Sequence, residues 1–186
     1  RRLGEEMGFT LHVMPPVELN GGVVSSSRIR QALIAGQMDA AAEMLGRFYS
    51  VCGVVIAGQH RGRLLGFPTA NVHVNGKRTL PPDGVYAAFA VLDGERLPAV
   101  INLGVRPTFD AGERLLEAYI MDQAGPLDLY GREIVVEFVK RLRAELKFDA
   151  VSALIAQMHD DVRTTREVLA GVDLSRYEPA PSECGR

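Results

Sequence analysis

Val51-Cys52-Gly53-Val54-Val55-Ile56-Ala57 is the stretch at which the chain changes character. Before it, apolar residues fall at helical spacing. From it onward, short runs of β-branched and aromatic residues alternate with Gly, Pro and Asp clusters, the pattern of strands joined by turns. The same reading predicts strands near Ala70–Val74, Val85–Leu92, Pro98–Leu103, Leu115–Met121 and Glu133–Arg141. The connections are too short for crossover helices, so the sheet is expected to be mainly antiparallel. Six such strands predict a closed or nearly closed small barrel, a mainly β fold.

Working outward from the strands, Val151, Leu154, Ile155, Met158, Val162, Val168 and Leu169 keep helical spacing, predicting a helix of about 20 residues that covers one mouth or edge of the barrel. Residues 171–186 carry Gly, Pro and Ser and are expected to form a frayed, flexible tail. On the other side, Phe9–Met14 reads as a strand ended by Pro15-Pro16, and Asn20-Gly21-Gly22 as a turn. Ser25-Ser26-Ser27 offers N-caps for a short helix holding Ile29 and Leu33 and closed by Gly36. Asp39 is read as the cap of a second helix, Ala40 to Leu45, closed by Gly46. Two small helices and a lone strand cannot enclose a core. Residues 1–46 are therefore expected to be a remnant of something larger or an arm packed on the barrel, and the missing initiator Met points the same way.

Composition narrows the function. The 186 residues are 47% apolar and 24% charged, close to the average for soluble globular proteins. With 21 Lys+Arg against 23 Asp+Glu the net charge is −2, which argues against a general nucleic-acid binder, since such domains carry a clustered basic excess. No apolar run approaches the roughly 20 residues of a membrane helix, and the opening Arg1-Arg2-Leu3-Gly4-Glu5-Glu6 lacks a signal-peptide core. Cys52 and Cys184 lie far apart. They give neither a disulfide framework nor a zinc spacing, which points to a reducing, cytoplasmic compartment.

Four segments carry candidate chemistry. In Gly58-Gln59-His60-Arg61-Gly62-Arg63-Leu64-Leu65-Gly66-Phe67-Pro68-Thr69-Ala70-Asn71, three glycines at four-residue spacing flank Arg61 and Arg63. Backbone N–H groups of such a loop can approach an anion closely, although the pattern equally suits a Gly-rich hairpin loop with solvated arginines. His60 is the one histidine placed to matter, since His12, His73 and His159 show no ligand spacing. Thr69 and Asn71, two apart, direct a hydroxyl and an amide oxygen to one face. Both are hard donors suited to Mg²⁺ that keeps waters and phosphate oxygens, and both also suit a Thr/Asn turn. Glu117 stands in an otherwise apolar strand with Leu115, Tyr119 and Met121 on its face. Either it is a general base raised by apolar surroundings, or it is an exposed residue of an edge strand. Lys140 through Phe148 is either a basic, partly apolar flap over an anionic aromatic ligand or a solvated connection. No Ser/His/Asp order or Gly-x-Ser-x-Gly elbow is present.

Together these segments resemble a known family. Gly62 through Asn71, with its Gly66-Phe67-Pro68-Thr69-Ala70-Asn71 core, is similar to the signature of riboflavin kinases. Leu80-Pro81-Pro82-Asp83-Gly84-Val85-Tyr86, Asn102-Leu103-Gly104-Val105-Arg106-Pro107-Thr108-Phe109, Leu129-Tyr130-Gly131, and Leu142-Arg143 through Phe148-Asp149 follow in the family's order. Upstream, Ser25 through Arg30 and Leu45-Gly46-Arg47 resemble the end of the adenylyltransferase module of bacterial bifunctional riboflavin kinase/FAD synthetases. The His-x-Gly-His-type motif of that module is not in this sequence.

The resemblance implies a six-stranded antiparallel, Greek-key-like barrel over 47–170, with a long C-terminal helix, preceded over 1–46 by a remnant of an α/β nucleotidyltransferase domain. It implies ATP and riboflavin as substrates, FMN and ADP as products, and Mg²⁺ as cofactor on Thr69 and Asn71. It further implies ATP on Gly58, His60, Arg61, Gly62, Arg63, Gly66, Pro68, Thr69 and Asn71, and the flavin beside Arg143, Leu146 and Phe148. Glu117 matches the family's catalytic base, with Tyr119 standing where many members have His. Ser26 and Arg28 match ATP contacts of the missing module. The implied partner is the protein's own adenylyltransferase module. The competing expectations are a non-catalytic flavin- or nucleotide-binding barrel and a full bifunctional FAD synthetase.

Overall fold

A strand in a closed barrel turns every second side chain into the core and the others outward, and the burial along the chain obeys that rule. Val72 and Val74, Ile101 and Leu103, Leu116 and Ala118, and Ile134 and Val136 are inward pairs two residues apart, and Val51 and Val55 keep the same parity four apart, all members of one apolar core. The computed structural model describes residues 2–58, 61–74, 78–105, 114–123 and 128–180. Six antiparallel strands, β3 (Tyr49–Ile56), β4 (Ala70–Val74), β5 (Gly84–Leu92), β6 (Glu95–Val105), β7 (Arg114–Ile120) and β8 (Glu133–Arg143), form a closed barrel in the order β3-β4-β7-β6-β5-β8. The order is Greek-key-like, as expected. β5 shows no alternation because its outer face is covered as well. Phe89 lies under Phe48, Val139, Val168 and Tyr177.

Two helices close the barrel from the N-terminal side. The helix α1 (Arg2–Met7) and the hairpin β1 (Glu18–Leu19)–β2 (Gly22–Val23) precede them. Positive φ at Asn20 and Gly21 makes the expected turn a two-residue hairpin loop. Helix α2 (Ser26–Ile34) is capped by the Ser25 hydroxyl, which accepts from the Arg28 N–H at 3.3 Å. Helix α3 (Met38–Leu45) ends on left-handed Gly46. Ala32 and Leu33 of α2 and Met38 and Ala41 of α3 belong to the same core cluster as the barrel strands. These helices are therefore an arm packed on the barrel, one of the two alternatives above. Arg141 fastens them: its stem lies against Gly36 and its guanidinium donates to the Asp83 carbonyl at 2.7 Å. Tyr49 and Tyr86 tie down the segment before β5 by donating to the Thr79 and Pro82 carbonyls. Burial pushes both phenols above their ordinary range, so they stay protonated donors.

Several local expectations are corrected. Phe9–Met14 is not a strand, because no second strand lies alongside to satisfy its backbone. Asp39 sits inside α3 rather than at its cap, its carboxylate accepting only from the Ala40 N–H. The C-terminal helix α5 (Val151–Ala170) lies against β5, β6 and β8, while a barrel mouth is filled by α2 and α3. Three residues of the expected tail are packed: Val172 and Tyr177 join the cluster over Phe89, and Ala180 packs with Val91 and Val135. Residues 181–186, the rest of the expected tail, lie outside the described residues. Cys52 is disulfide-bonded, against the expectation of no bridge, and Cys184, the one other cysteine, lies outside the described residues. Separation in sequence did not exclude a bridge because residues 172–180 return to the barrel, where Ala180 shares a cluster with Cys52. Cysteine usage therefore no longer argues for a reducing compartment. Among the described residues no helix is long and apolar enough to cross a membrane.

Candidate functional site

With Val72 and Val74, Leu116 and Ala118, and Ile101 and Leu103 facing inward, the residues between them must face out. Asn71 is paired with Glu117 across β4 and β7, and Glu117 with Asn102 across β7 and β6. Three polar side chains thus form one row on the outer barrel wall, drawn from strands up to 46 residues apart in sequence (117 − 71). β7 is paired on both sides, so Glu117 is not an edge-strand residue. Its flanking neighbours are amides rather than the apolar residues expected, and it is half-buried. Met121 lies one residue beyond the strand and is buried.

The glycine-rich segment wraps one end of this row. A β-carbon at Gly58 would coincide with the Asn71 amide, and one at Gly62 would strike the Phe67 carbonyl with the Thr69 hydroxyl next, 3.3 Å away. Both positions need glycine because the chain crosses directly over Asn71 and Thr69. Arg61–Leu64 form a short helical turn, α4, closed by Gly66 at φ +85°. The Gly62 carbonyl accepts from the N–H groups of Leu65 and Phe67. Asn71 is buried while Arg63, Gly66 and Pro68 are exposed. The Arg61 side chain and all of His60 lie outside the described residues. Phe67 is buried and makes edge contacts with Tyr119 at 5.2 Å and with His159 of α5 at 5.0 Å.

The flap segment is anchored by charge. Arg143 donates through Nε and Nη2 to both carboxylate oxygens of Asp161 at 2.9 and 2.7 Å, and Gln157 adds a third donor to Asp161 at 3.1 Å. Asp161 is buried, so this is a desolvated, fork-to-fork pair joining β8 to α5. The Arg143 guanidinium therefore fixes the course of the chain after β8. Glu145 follows and folds back over β6, its carboxylate filling the space a side chain at Gly104 would take. Leu146 is exposed and Phe148 half-buried. Arg28, expected beside a nucleotide, donates to the Leu19 and Gly22 carbonyls at 2.9 and 2.6 Å.

The structure brings Thr69, Asn71, Glu117, Gly58 and Gly62 together. Sequence reasoning missed Asp161, and it placed Asn102 and Glu145 in notable segments without giving either a role. Asn102 carried a signal, an amide in mid-strand where Asn is disfavoured. Asp161 carried another, a carboxylate inside the apolar stripe of α5. For Mg²⁺ the donor set fits. No group of three His, Cys, Asp or Glu able to hold a metal occurs among the described residues. A hydroxyl and an amide oxygen crowded against a glycine backbone nevertheless suit an ion whose other ligands are waters and phosphate oxygens.

Comparison with known proteins identifies the family of the chain. The family described as "Flavokinase: Riboflavin kinase" matches residues 45–169. The bifunctional riboflavin kinase/FMN adenylyltransferase of Pseudomonas fluorescens is 41% identical over 168 residues, covering 90% of this chain and 53% of that protein. The protein of the same name from Escherichia coli K12 is 38% identical over 169 residues, covering 90% and 53%. A solved structure from Streptococcus pneumoniae described as a macrolide-efflux protein superposes with TM-score 0.80 at 35% identity, covering 88% of this chain and 53% of that one. The chain thus spans about half the length of these relatives, and the family match falls on residues 45–169 of it. The chain belongs to the riboflavin kinase family.

Proposed function

We propose that this chain is a kinase module that transfers the γ-phosphoryl group of ATP to the ribityl 5′-hydroxyl of riboflavin, yielding FMN and ADP. The observation that carries this reading is the outward row Asn71–Glu117–Asn102, overlain at one end by Gly58 and Gly62. It supplies a carboxylate between two amide residues, next to a loop that meets hard oxygen donors. Glu117 accepts the hydroxyl proton as the ribityl oxygen bonds to the γ-phosphorus. The bond from phosphorus to the β,γ-bridging oxygen breaks, and ADP leaves with that electron pair. Such transfer depends mainly on positioning and charge neutralisation.

Gly58, Gly62 and Gly66, with Arg61, Arg63, His60 and Pro68, take the ATP side. Thr69 and Asn71 would hold Mg²⁺, which neutralises phosphate charge when bound. Arg143, Leu146 and Phe148 take the flavin side, Arg143 through the Asp161 anchor that sets the path of the flap. Residues 47–170 are the catalytic unit, with α2 and α3 packed on it. Residues 1–46 continue, in a longer protein, into an adenylyltransferase module. Exposed Leu3, Met7, Phe9, Val13, Met14 and Val17 fit such a neighbour. The efflux description of the pneumococcal structure is not carried over, since the row and the family match bear on phosphoryl transfer.

Incubating the chain with riboflavin, ATP and Mg²⁺ and separating the flavins tests the proposal. FMN alone is expected. FAD would mean an adenylylating activity as well, and unchanged riboflavin would leave only a binding barrel. A second expectation concerns Gly58. Gly58→Ala must displace Asn71, so Mg²⁺-dependent ATP binding should weaken about tenfold or more, a loss of about 1.4 kcal/mol or more, with the barrel still folded by circular dichroism. Unchanged Mg²⁺-dependent affinity would remove Asn71 from the nucleotide site.

A further inference from the structure

Phe67 is a large apolar side chain in a loop otherwise made of glycines, arginines and exposed residues, yet it is only 5% exposed. Two rings from two other elements meet it. Tyr119 of β7 lies 5.2 Å from its centroid at 66°, and His159 of α5 lies 5.0 Å away at 67°. Both are edge-to-face contacts, the arrangement that ring quadrupoles favour. Tyr119 stands two residues beyond Glu117 in the same strand and therefore on the same face. His159 is an exposed residue whose ring is nevertheless turned onto the loop. From Phe67 the linkage continues through the backbone. Its N–H donates to the Gly62 carbonyl at 2.8 Å. Its own carbonyl is packed so closely on Gly62 that a β-carbon there would strike it, with the Thr69 hydroxyl next in line. A displacement of the Phe67 ring is thus passed on to Gly62 and Thr69.

We infer that His159 is a positioning residue for the nucleotide: with Tyr119 it clamps the Phe67 ring and so holds Gly62 and Thr69 ready for the ATP phosphates. The inference rests on the proposed kinase reading and adds a residue of α5 to its ATP side. His159 acts through the packing of its ring and not through its charge. It lowers the ordering cost of the loop before the nucleotide arrives, and binding gains by that amount. Asp161, two residues on, lies about 200° further round the helix and serves the flap instead, through Arg143. The two duties of this turn of α5 are therefore separable.

The test uses the full chain, with Mg²⁺-dependent ATP binding measured without flavin and FMN formation measured alongside. His159→Ala should weaken ATP binding and raise KM for ATP about 3- to 10-fold, the range one edge-to-face contact contributes. KM for riboflavin and kcat should stay within about twofold. His159→Phe keeps a ring and discards the ionisable nitrogens, so it should bring the ATP affinity back to within about twofold of the parent. Thermal unfolding of both variants should match the parent, because His159 is exposed. Unchanged ATP affinity in His159→Ala would overturn the inference, as would failure of His159→Phe to restore it. Equal rises in both KM values with a lower melting temperature would mean that His159 only stiffens α5, and would overturn it too. A parent that binds ATP but forms no FMN would overturn the kinase reading instead, while the loss of ATP affinity in His159→Ala would still support the clamp.

Discussion

Glu117→Gln should bind ATP and riboflavin as the parent chain does and yet form FMN about 10²- to 10⁴-fold more slowly, the range a positioned general base contributes. The substitution keeps volume and side-chain polarity in a strand paired on both sides, so the barrel has no reason to unfold. Only the capacity to accept a proton is lost. A fall in kcat with unchanged KM would identify an interaction made in the transition state alone. Single-turnover rates of FMN formation, read with flavin and nucleotide titrations, separate the two quantities. Turnover at the parent rate would exclude Glu117 as the base, and the outward row would then need another explanation.

The largest stability effect is expected at Arg96. Glu137 is fully buried on the outer face of β8. It accepts from Arg96 Nε and Nη2 at 2.7 and 3.1 Å and from the Ala180 N–H at 2.8 Å. The guanidinium also donates to the Glu178 carbonyl at 3.3 Å and lies 5.8 Å from the Phe48 ring centroid. Arg96→Met leaves a buried carboxylate with one backbone donor, and breaking such a pair costs about 3–5 kcal/mol. The double substitution Arg96→Met with Glu137→Leu should recover most of that loss, since the stranded charge is gone and apolar neighbours remain. Urea unfolding of the parent, single and double variants measures both steps. A single variant within about 1 kcal/mol of the parent would show that the pair contributes no more than a surface salt bridge does.

How much of this was legible beforehand depends on the range of the interactions. The strands were legible because alternation and turn residues are local. Val85–Leu92 and Ala70–Val74 were predicted close to where they lie. Thr69, Asn71 and Glu117 were legible as chemistry through residue type and family motif, but their meeting was not. The pairing of Asn71 with Glu117, and of Glu117 with Asn102, is a matter of register between strands with different connections, and no local pattern encodes it. The same holds for Leu33 and Met38, whose burial depends on a barrel mouth formed by residues far downstream. Arg143 read as a ligand donor because a free guanidinium was assumed. Its partner Asp161 lies 18 residues on, and only the folded path of α5 brings the two together.

The segment 172–180 has a consequence for how the protein is made. It crosses the barrel, gives Glu137 the Ala180 N–H, and ends its course beside the entry to β3, where the Glu178 N–H donates to the Gly46 carbonyl at 3.1 Å. On a ribosome the strands emerge in order, and this closing piece follows all six of them. Until it has left the exit tunnel, one buried carboxylate lacks a donor and the outer face of β5 lacks Tyr177. The covering of the barrel wall is thereby postponed until residue 180 has emerged, and a nascent chain stalled before that point would hold six strands without their clasp.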